Sequence, residues 1–278
     1  MATKYSLRYV QPVTVIWLRF AMGVPILALA TGLRKQFQAV SRQDLLYFAL
    51  TGFIGITFHQ WLQSTALETV QASTTAWIVA TIPMFSALLG WMFLKERLWL
   101  LQIIGILLAA AGVLVVVTDG NLNQLISGHF GTIGDLLVLI SAPNWAFFSV
   151  ISRRGLQKYP AALMMTYVML FGWLFTSVHF VLAQGYEDIP RLAMDGWLGV
   201  AFLGVVCSGL AYIFWYDALQ ALPVAQAGAF VYLEPLVTVV VAALVLGEPL
   251  LGASLAGGAI ILVGIWLVNR PAAQKKPA

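Results

Sequence analysis

Nine apolar runs follow one another along this chain, each about as long as the roughly 20 residues that a helix needs to cross a bilayer. They fall at residues 12–33, 45–64, 72–94, 99–117, 134–152, 161–183, 197–219, 224–246 and 252–268. The runs are continuous and do not alternate, which favours helices over a membrane barrel. Hydrophobic residues make up 61% of the 278 and charged residues only 9%. A soluble domain carries about 25% charged residues, so a water-facing surface for this chain is excluded. Lipid solves the problem, because the solvent outside the bundle is itself apolar. The net charge of +4 is too scattered for a nucleic-acid partner. The single cysteine, Cys207, has no partner for an internal disulfide.

Basic residues set the expected orientation. If the 34–42 connection is cytoplasmic and each run crosses once, eleven Lys and Arg lie inside and four outside. That is a positive-inside bias and puts the C-terminus in the cytoplasm. Met1 then falls outside, and the polar stretch 1–11 is too short to span. We read it as the tail of a truncated first helix; a nine-helix protein with an exported N-terminus is the alternative.

An offset of 152 residues aligns the two parts of the chain without a gap from Gly52 to Val116. Gly52 meets Gly204, Pro83 meets Pro235, Glu96 meets Glu248, Gly105 meets Gly257 and Gly112 meets Gly264. Matches of Pro, Glu and Gly carry weight because these residues punctuate helices. The polar stretch 118–130 is the natural divide. The expected organisation is a first half at 1–117, a connecting loop at 118–130, a second half at 131–269 and a cytoplasmic tail at 270–278. Five helices per half is an odd number, so short connections turn the second half upside down. Inverted repeats of this kind mark secondary transporters, where two similar halves exchange conformations around a central site. Duplication kept for packing alone is the alternative.

The run Pro83…Lys95-Glu96-Arg97-Leu98…Gly105…Gly112 resembles the proline, glutamate and paired glycines of EamA-type proteins in the drug/metabolite transporter superfamily. So does Glu234-Pro235…Gly247-Glu248…Gly257…Gly264, while Lys4…Pro12…Arg19-Phe20 is similar to the family's junction between its first and second helices. The resemblance implies an all-α integral membrane bundle of ten helices, in a five-plus-five inverted repeat with a central cavity. Its aromatic helices look most like the YddG-type exporters of aromatic amino acids. It implies a bacterial inner membrane location.

Polar groups at membrane depth are costly unless they face protein or water. Gly52, Gly55, His59 and Gln63 share one helical face; Thr74, Trp77 and Thr81 share another. Asn144 with Trp145, and Tyr212 with Tyr216, repeat the pairing of polar and aromatic groups. Glu234 precedes Pro235 in mid-run and is a candidate for proton coupling or ammonium binding. His59, Trp77, Thr81, Asn144, Trp145, Tyr212, Tyr216 and Glu234 are therefore the expected substrate-binding residues. His59 also reads as a helix–helix hydrogen bond, Trp77 as lipid-facing packing and Glu234 as a structural carboxyl bonded to a neighbouring helix. Trp99, Trp197 and Trp266 lie near run ends and read as interface anchors. Arg19 lies about 10 Å inside its run; snorkelling outward is the expectation, and holding a substrate carboxylate the alternative.

No catalytic cluster, metal site, cofactor motif or ATP-binding glycine loop stands out. Mid-run lysines suited to phosphate or nucleotide-sugar cargo are missing, which favours a neutral, zwitterionic or cationic solute. The expected function is a secondary exporter of aromatic or large neutral amino acids, with membrane lipid as its other partner. A monomer is compatible with this reading. An exporter of hydrophobic cations is the alternative, and a membrane enzyme or assembly protein the third reading.

Overall fold

The computed structural model describes residues 1–94, 98–121, 131–221 and 233–270. Among the described residues all regular structure is helical. The first elements are α1 (Ala2–Ser6), α2 (Pro12–Leu33), α3 (Arg42–Gly52), α4 (His59–Thr69), α5 (Ala72–Val79), α6 (Ile82–Leu94) and α7 (Leu100–Val117). After them come α8 (Ile133–Lys158), α9 (Ala161–Leu182), α10 (Met194–Ala201), α11 (Ala211–Ala221), α12 (Leu233–Val241) and α13 (Gly252–Val268). Three π-helical segments join or extend these helices: Phe53–Phe58, Phe202–Leu210 and Ala242–Leu246. Among the described residues, seven helical segments are long and apolar enough to cross a membrane, with Leu233–Leu246 and Gly252–Val268 shorter. The protein is an integral membrane helical bundle. Large apolar side chains such as Leu46, Leu107 and Leu244 are exposed, as a lipid-facing surface requires.

Most expected spans have a helical counterpart; the one at 134–152 runs on to Lys158, and the first part of 224–246 lies outside the described residues. One differs in kind: 72–94 is two helices, broken at Ala80–Thr81. Pro83 follows the break and has no N–H to give to a continuous ladder. The expected divide at 118–130 lies largely outside the described residues, as does the repeat residue Glu96.

The chain folds into two compact units, Met1–Thr69 with Phe148–Val231, and Val70–Phe147 with Tyr232–Ala278. Long-range carboxylates close helix starts inside each unit. In the first, Pro12 opens α2, a position where its missing N–H costs little. Asp188 accepts from Gln11 N at 2.9 Å and Thr14 Oγ1 at 3.0 Å. The negative charge complements the positive end of the helix dipole. Ser41 caps α3 by accepting from Asp44 N, and the Asp44 carboxylate pairs with Lys158 and accepts from Tyr159 Oη. Tyr5 and Tyr9 donate to Asp195 Oδ2 at 2.7 and 2.5 Å, fastening α1 to α10. The same hydrogen bond to Asp195 holds the Tyr9 phenol above the usual tyrosine range. In the second unit, Glu248 takes Ala72 N at 2.7 Å, Ser73 N at 3.1 Å and Ser73 Oγ at 2.9 Å. Sequence alone marked Glu248 as punctuation; its oxygens close the start of α5.

Glycines set the helix–helix distances. In the second unit α7 and α13 touch backbone to backbone. A Cβ added at Gly105 would lie 2.5 Å from the Gly264 carbonyl oxygen, and one at Gly112 2.7 Å from that of Gly257. The pairing of 105 with 264 and 112 with 257 makes the two helices antiparallel. In the first unit, Gly52 meets the Val168 carbonyl on α9, and Gly204 meets Met22 and the Arg19 carbonyl on α2. Lipid supplies no hydrophobic drive between helices, so close packing of small residues must hold them together. Gly112→Ala should therefore lower stability by about 1–3 kcal/mol through overpacking, read as a lower melting temperature in detergent. Gly252→Ala, whose Cβ would meet nothing within 4 Å, should leave that temperature unchanged or raise it.

Candidate functional site

In the first unit the polar centre is Arg19. Its side chain is 8% exposed. Nε donates to Ser208 Oγ at 2.9 Å and Nη1 to Gln60 Oε1 at 3.0 Å. The guanidinium also lies 5.0 Å from the Phe20 ring centroid. This overturns the snorkelling expectation: hydrogen-bond partners on α4 and on the π segment before α11 hold the charge inside the protein. Cys207 and Tyr212 stand one residue before and four residues after Ser208 on the chain. His59 is buried beside Gln60 at the start of α4. Tyr212 is half-buried on α11 and lines a small cavity with Leu27, Ala161, Ile213, Arg34 and Asp217. Arg34 donates to both oxygens of Asp217, at 2.6 and 2.7 Å. Tyr216 follows one turn later on α11; its side chain lies outside the described residues.

Two π-helical segments flank this centre. Phe53–Phe58 leads into His59 and Gln60; Phe202–Leu210 carries Ser208 and leads into Tyr212. A π turn inserts a residue and shifts the face that follows it. The 3.6-residue period therefore selects Gln63 for the face of Gly52 and Gly55. The fold instead buries Gln60, with Gln63 only half-buried. Gln60, Ser208 and a buried Arg19 are the polar residues that periodicity missed. The signal available was an arginine deep in an apolar run, matched by amides and hydroxyls in others.

The remaining expected residues belong to the second unit. Trp77 is 2% exposed. Its ring lies against Gly258 on α13, where an added Cβ would come within 2.3 Å of it. The Trp77 indole N–H is buried with no acceptor among the described residues. Thr81 is buried and donates to the Ile78 carbonyl at 2.6 Å, at the break between α5 and α6. Asn144 and Trp145 are half-buried on α8, and Glu234 is exposed on the first turn of α12.

The pattern of helices and glycines now has a counterpart among known proteins. The model of the EamA-like transporter family matches residues 1–118 and 132–270. The chain belongs to the EamA-like transporter family. It is 26% identical over 266 residues to an uncharacterized transporter of Archaeoglobus fulgidus, covering 96% of this chain and 90% of the relative. An uncharacterized transporter of Bacillus subtilis is 25% identical over 270 residues, covering 94% and 86%. A probable terminal-alkyne amino-acid exporter of Streptantibioticus cattleyicolor is 30% identical over 230 residues, covering 82% and 74%. A solved crystal structure shares the fold, with a TM-score of 0.66 and 21% identity over 95% of this chain and 90% of that one. The chain is thus a multi-pass membrane protein of a transporter family, and its relatives are named as transporters.

Trp77 and Trp266 separate packing from anchoring. Trp266 is 55% exposed, and the Arg270 guanidinium lies 3.8 Å from its ring centroid. Trp77→Ala should cost about 3–5 kcal/mol by leaving a cavity and should impair transport. Trp266→Ala should change both far less. Melting temperature and proteoliposome flux on the same preparations check this.

Proposed function

We propose that this protein exports aromatic or large neutral amino acids by alternating access, as a five-plus-five inverted repeat and without ATP. The observation that carries the mechanism is packing that repeats under exchange of the two halves. Gly105 corresponds to Gly257 and Gly112 to Gly264 in the sequence offset. The contacts Gly105–Gly264 and Gly112–Gly257 map onto each other under that exchange, as contacts across a two-fold axis do. The first unit supports the same relation. There α2 and α9 correspond at a slightly shorter offset, each followed by a left-handed residue, Lys35 and Gln184. Gly23 meets Ser208, and Gly172 meets Ile56; Gly204 meets the Arg19 carbonyl, and Gly52 that of Val168. These are two pairs of equivalent contacts. The π segment Phe53–Phe58 also corresponds to part of Phe202–Leu210.

The likeness to an amino-acid exporter supports the substrate class. Aromatic side chains suit a planar apolar group, and stacking adds about 0.5–1.5 kcal/mol beyond burial. Within the first unit this reading assigns His59, Tyr212 and Tyr216 to substrate; within the second, Trp77, Thr81, Asn144, Trp145 and Glu234. The orientation follows the basic residues, with the C-terminus in the cytoplasm of a bacterial inner membrane. A second reading, export of hydrophobic cations, draws on the exposed carboxylate of Glu234. No catalytic role is assigned. In proteoliposomes the protein should move labelled phenylalanine without ATP, inhibited by tryptophan and not by alanine. Flux of an organic cation with no amino-acid flux would favour the second reading instead.

A further inference from the structure

We infer that Arg19 is the anchor for the carboxylate of the transported solute. The inference rests on the amino-acid reading and narrows it to molecules that carry an anionic end. A charge at mid-membrane costs about 2.5–3.5 kcal/mol on insertion scales, and burial normally demands an opposite charge. Arg19 is buried, yet among the described residues no carboxylate pairs with it; its hydrogen-bond partners are the neutral Gln60 and Ser208. The one acidic side chain outside the described residues, Glu96, falls between two apolar runs of the sequence, and the C-terminal carboxylate falls beyond the last of them. A guanidinium carries five N–H donors in a planar fork, and these two contacts occupy two of them. The neutral partners hold the guanidinium at Nε and Nη1 and leave Nη2 free of them, without cancelling its charge. Such a group matches a carboxylate in geometry as well as in charge. Its neighbour Phe20 lies against the guanidinium, with the ring centroid 5.0 Å away, and Cys207 and Tyr212 stand one residue before and four residues after its partner Ser208. The same positive charge repels an organic cation, so the arrangement favours an acid or zwitterion over an amine.

The test uses the full chain in detergent, with three probes of one aromatic skeleton: phenylalanine, 3-phenylpropionate and 2-phenylethylamine. Binding is read by titration of tryptophan fluorescence and by thermal stabilisation. The two carboxylates should bind about tenfold or more tightly than the amine, the scale of a hydrogen bond to a charged group. Arg19→Gln should erase that preference, and Arg19→Lys should keep part of it. If Arg19→Gln does not fold, Gln60→Glu supplies the decisive variant. It keeps the side-chain shape, pairs Arg19 internally and should weaken carboxylate binding about tenfold while the melting temperature holds. Equal binding of acid and amine by the unaltered protein overturns the anchor. So does a carboxylate preference that survives Gln60→Glu, or binding seen only with anionic lipid and not with free carboxylate. The two readings separate cleanly. Phenylalanine flux with a preference untouched by Gln60→Glu keeps export and removes the anchor. Arg19-dependent binding of 3-phenylpropionate without amino-acid flux keeps the anchor and removes amino-acid export.

Discussion

At membrane depth no water stands ready to bond an exposed amide, so each backbone polar group must find its partner inside the protein. The rest of this structure depends on that constraint. It makes the chain helical, and it makes helix ends and breaks the places where chemistry concentrates. Asp188 and Glu248 show the solution at helix starts: a distant carboxylate supplies what the first turn lacks. The carboxylates reach across the sequence, so they fasten tertiary structure while they complete secondary structure. Losing one would leave orphan donors and also free one helix from another.

Close packing follows from the same solvent. Between helices in lipid, surface burial gives little preference for protein over acyl chain. The attraction must come from many short contacts, and these need backbones that approach closely. The Gly105–Gly264 and Gly112–Gly257 contacts of α7 with α13 are of this kind. The glycines that looked like repeat punctuation in the sequence are contact points in the fold. Their spacing in both halves has a packing reason, independent of any substrate.

The architecture was legible because its cause is written in the chain. Long apolar runs, Pro12 at a helix start and glycines at matched spacing each act locally, and α2 and α13 recur with the bounds expected from the runs. The polar centre was less legible. Periodicity placed Gln63 with His59, since it assumes one unbroken 3.6-residue helix, whereas the π segment Phe53–Phe58 changes the phase and brings in Gln60. Arg19 was read as a side chain reaching for water; what retains it is a pair of neutral partners far along the chain, which no local pattern reveals. Trp77 was identified as a mid-span aromatic, but the glycine that accommodates its ring, Gly258, lies on α13.

Duplicated packing does not require duplicated chemistry. Arg19 on α2 corresponds to Val168 on α9, Gln60 to Tyr212 and Ser208 to Ile56. At the first and third of these pairs the glycine contacts recur: Gly204 on the Arg19 carbonyl and Gly52 on that of Val168, Gly23 on Ser208 and Gly172 on Ile56. The side chains diverge, so one member of each pair joins a charged, hydrogen-bonded centre and the other gives an apolar or aromatic surface. Glu234, whose counterpart is Ile82, adds a second polar asymmetry. The glycine contacts repeat between the halves, and the polar side chains mounted beside them do not. The scaffold and its polar chemistry are thus free to change separately, because one resides in glycines that let helices approach closely and the other in the side chains mounted beside them.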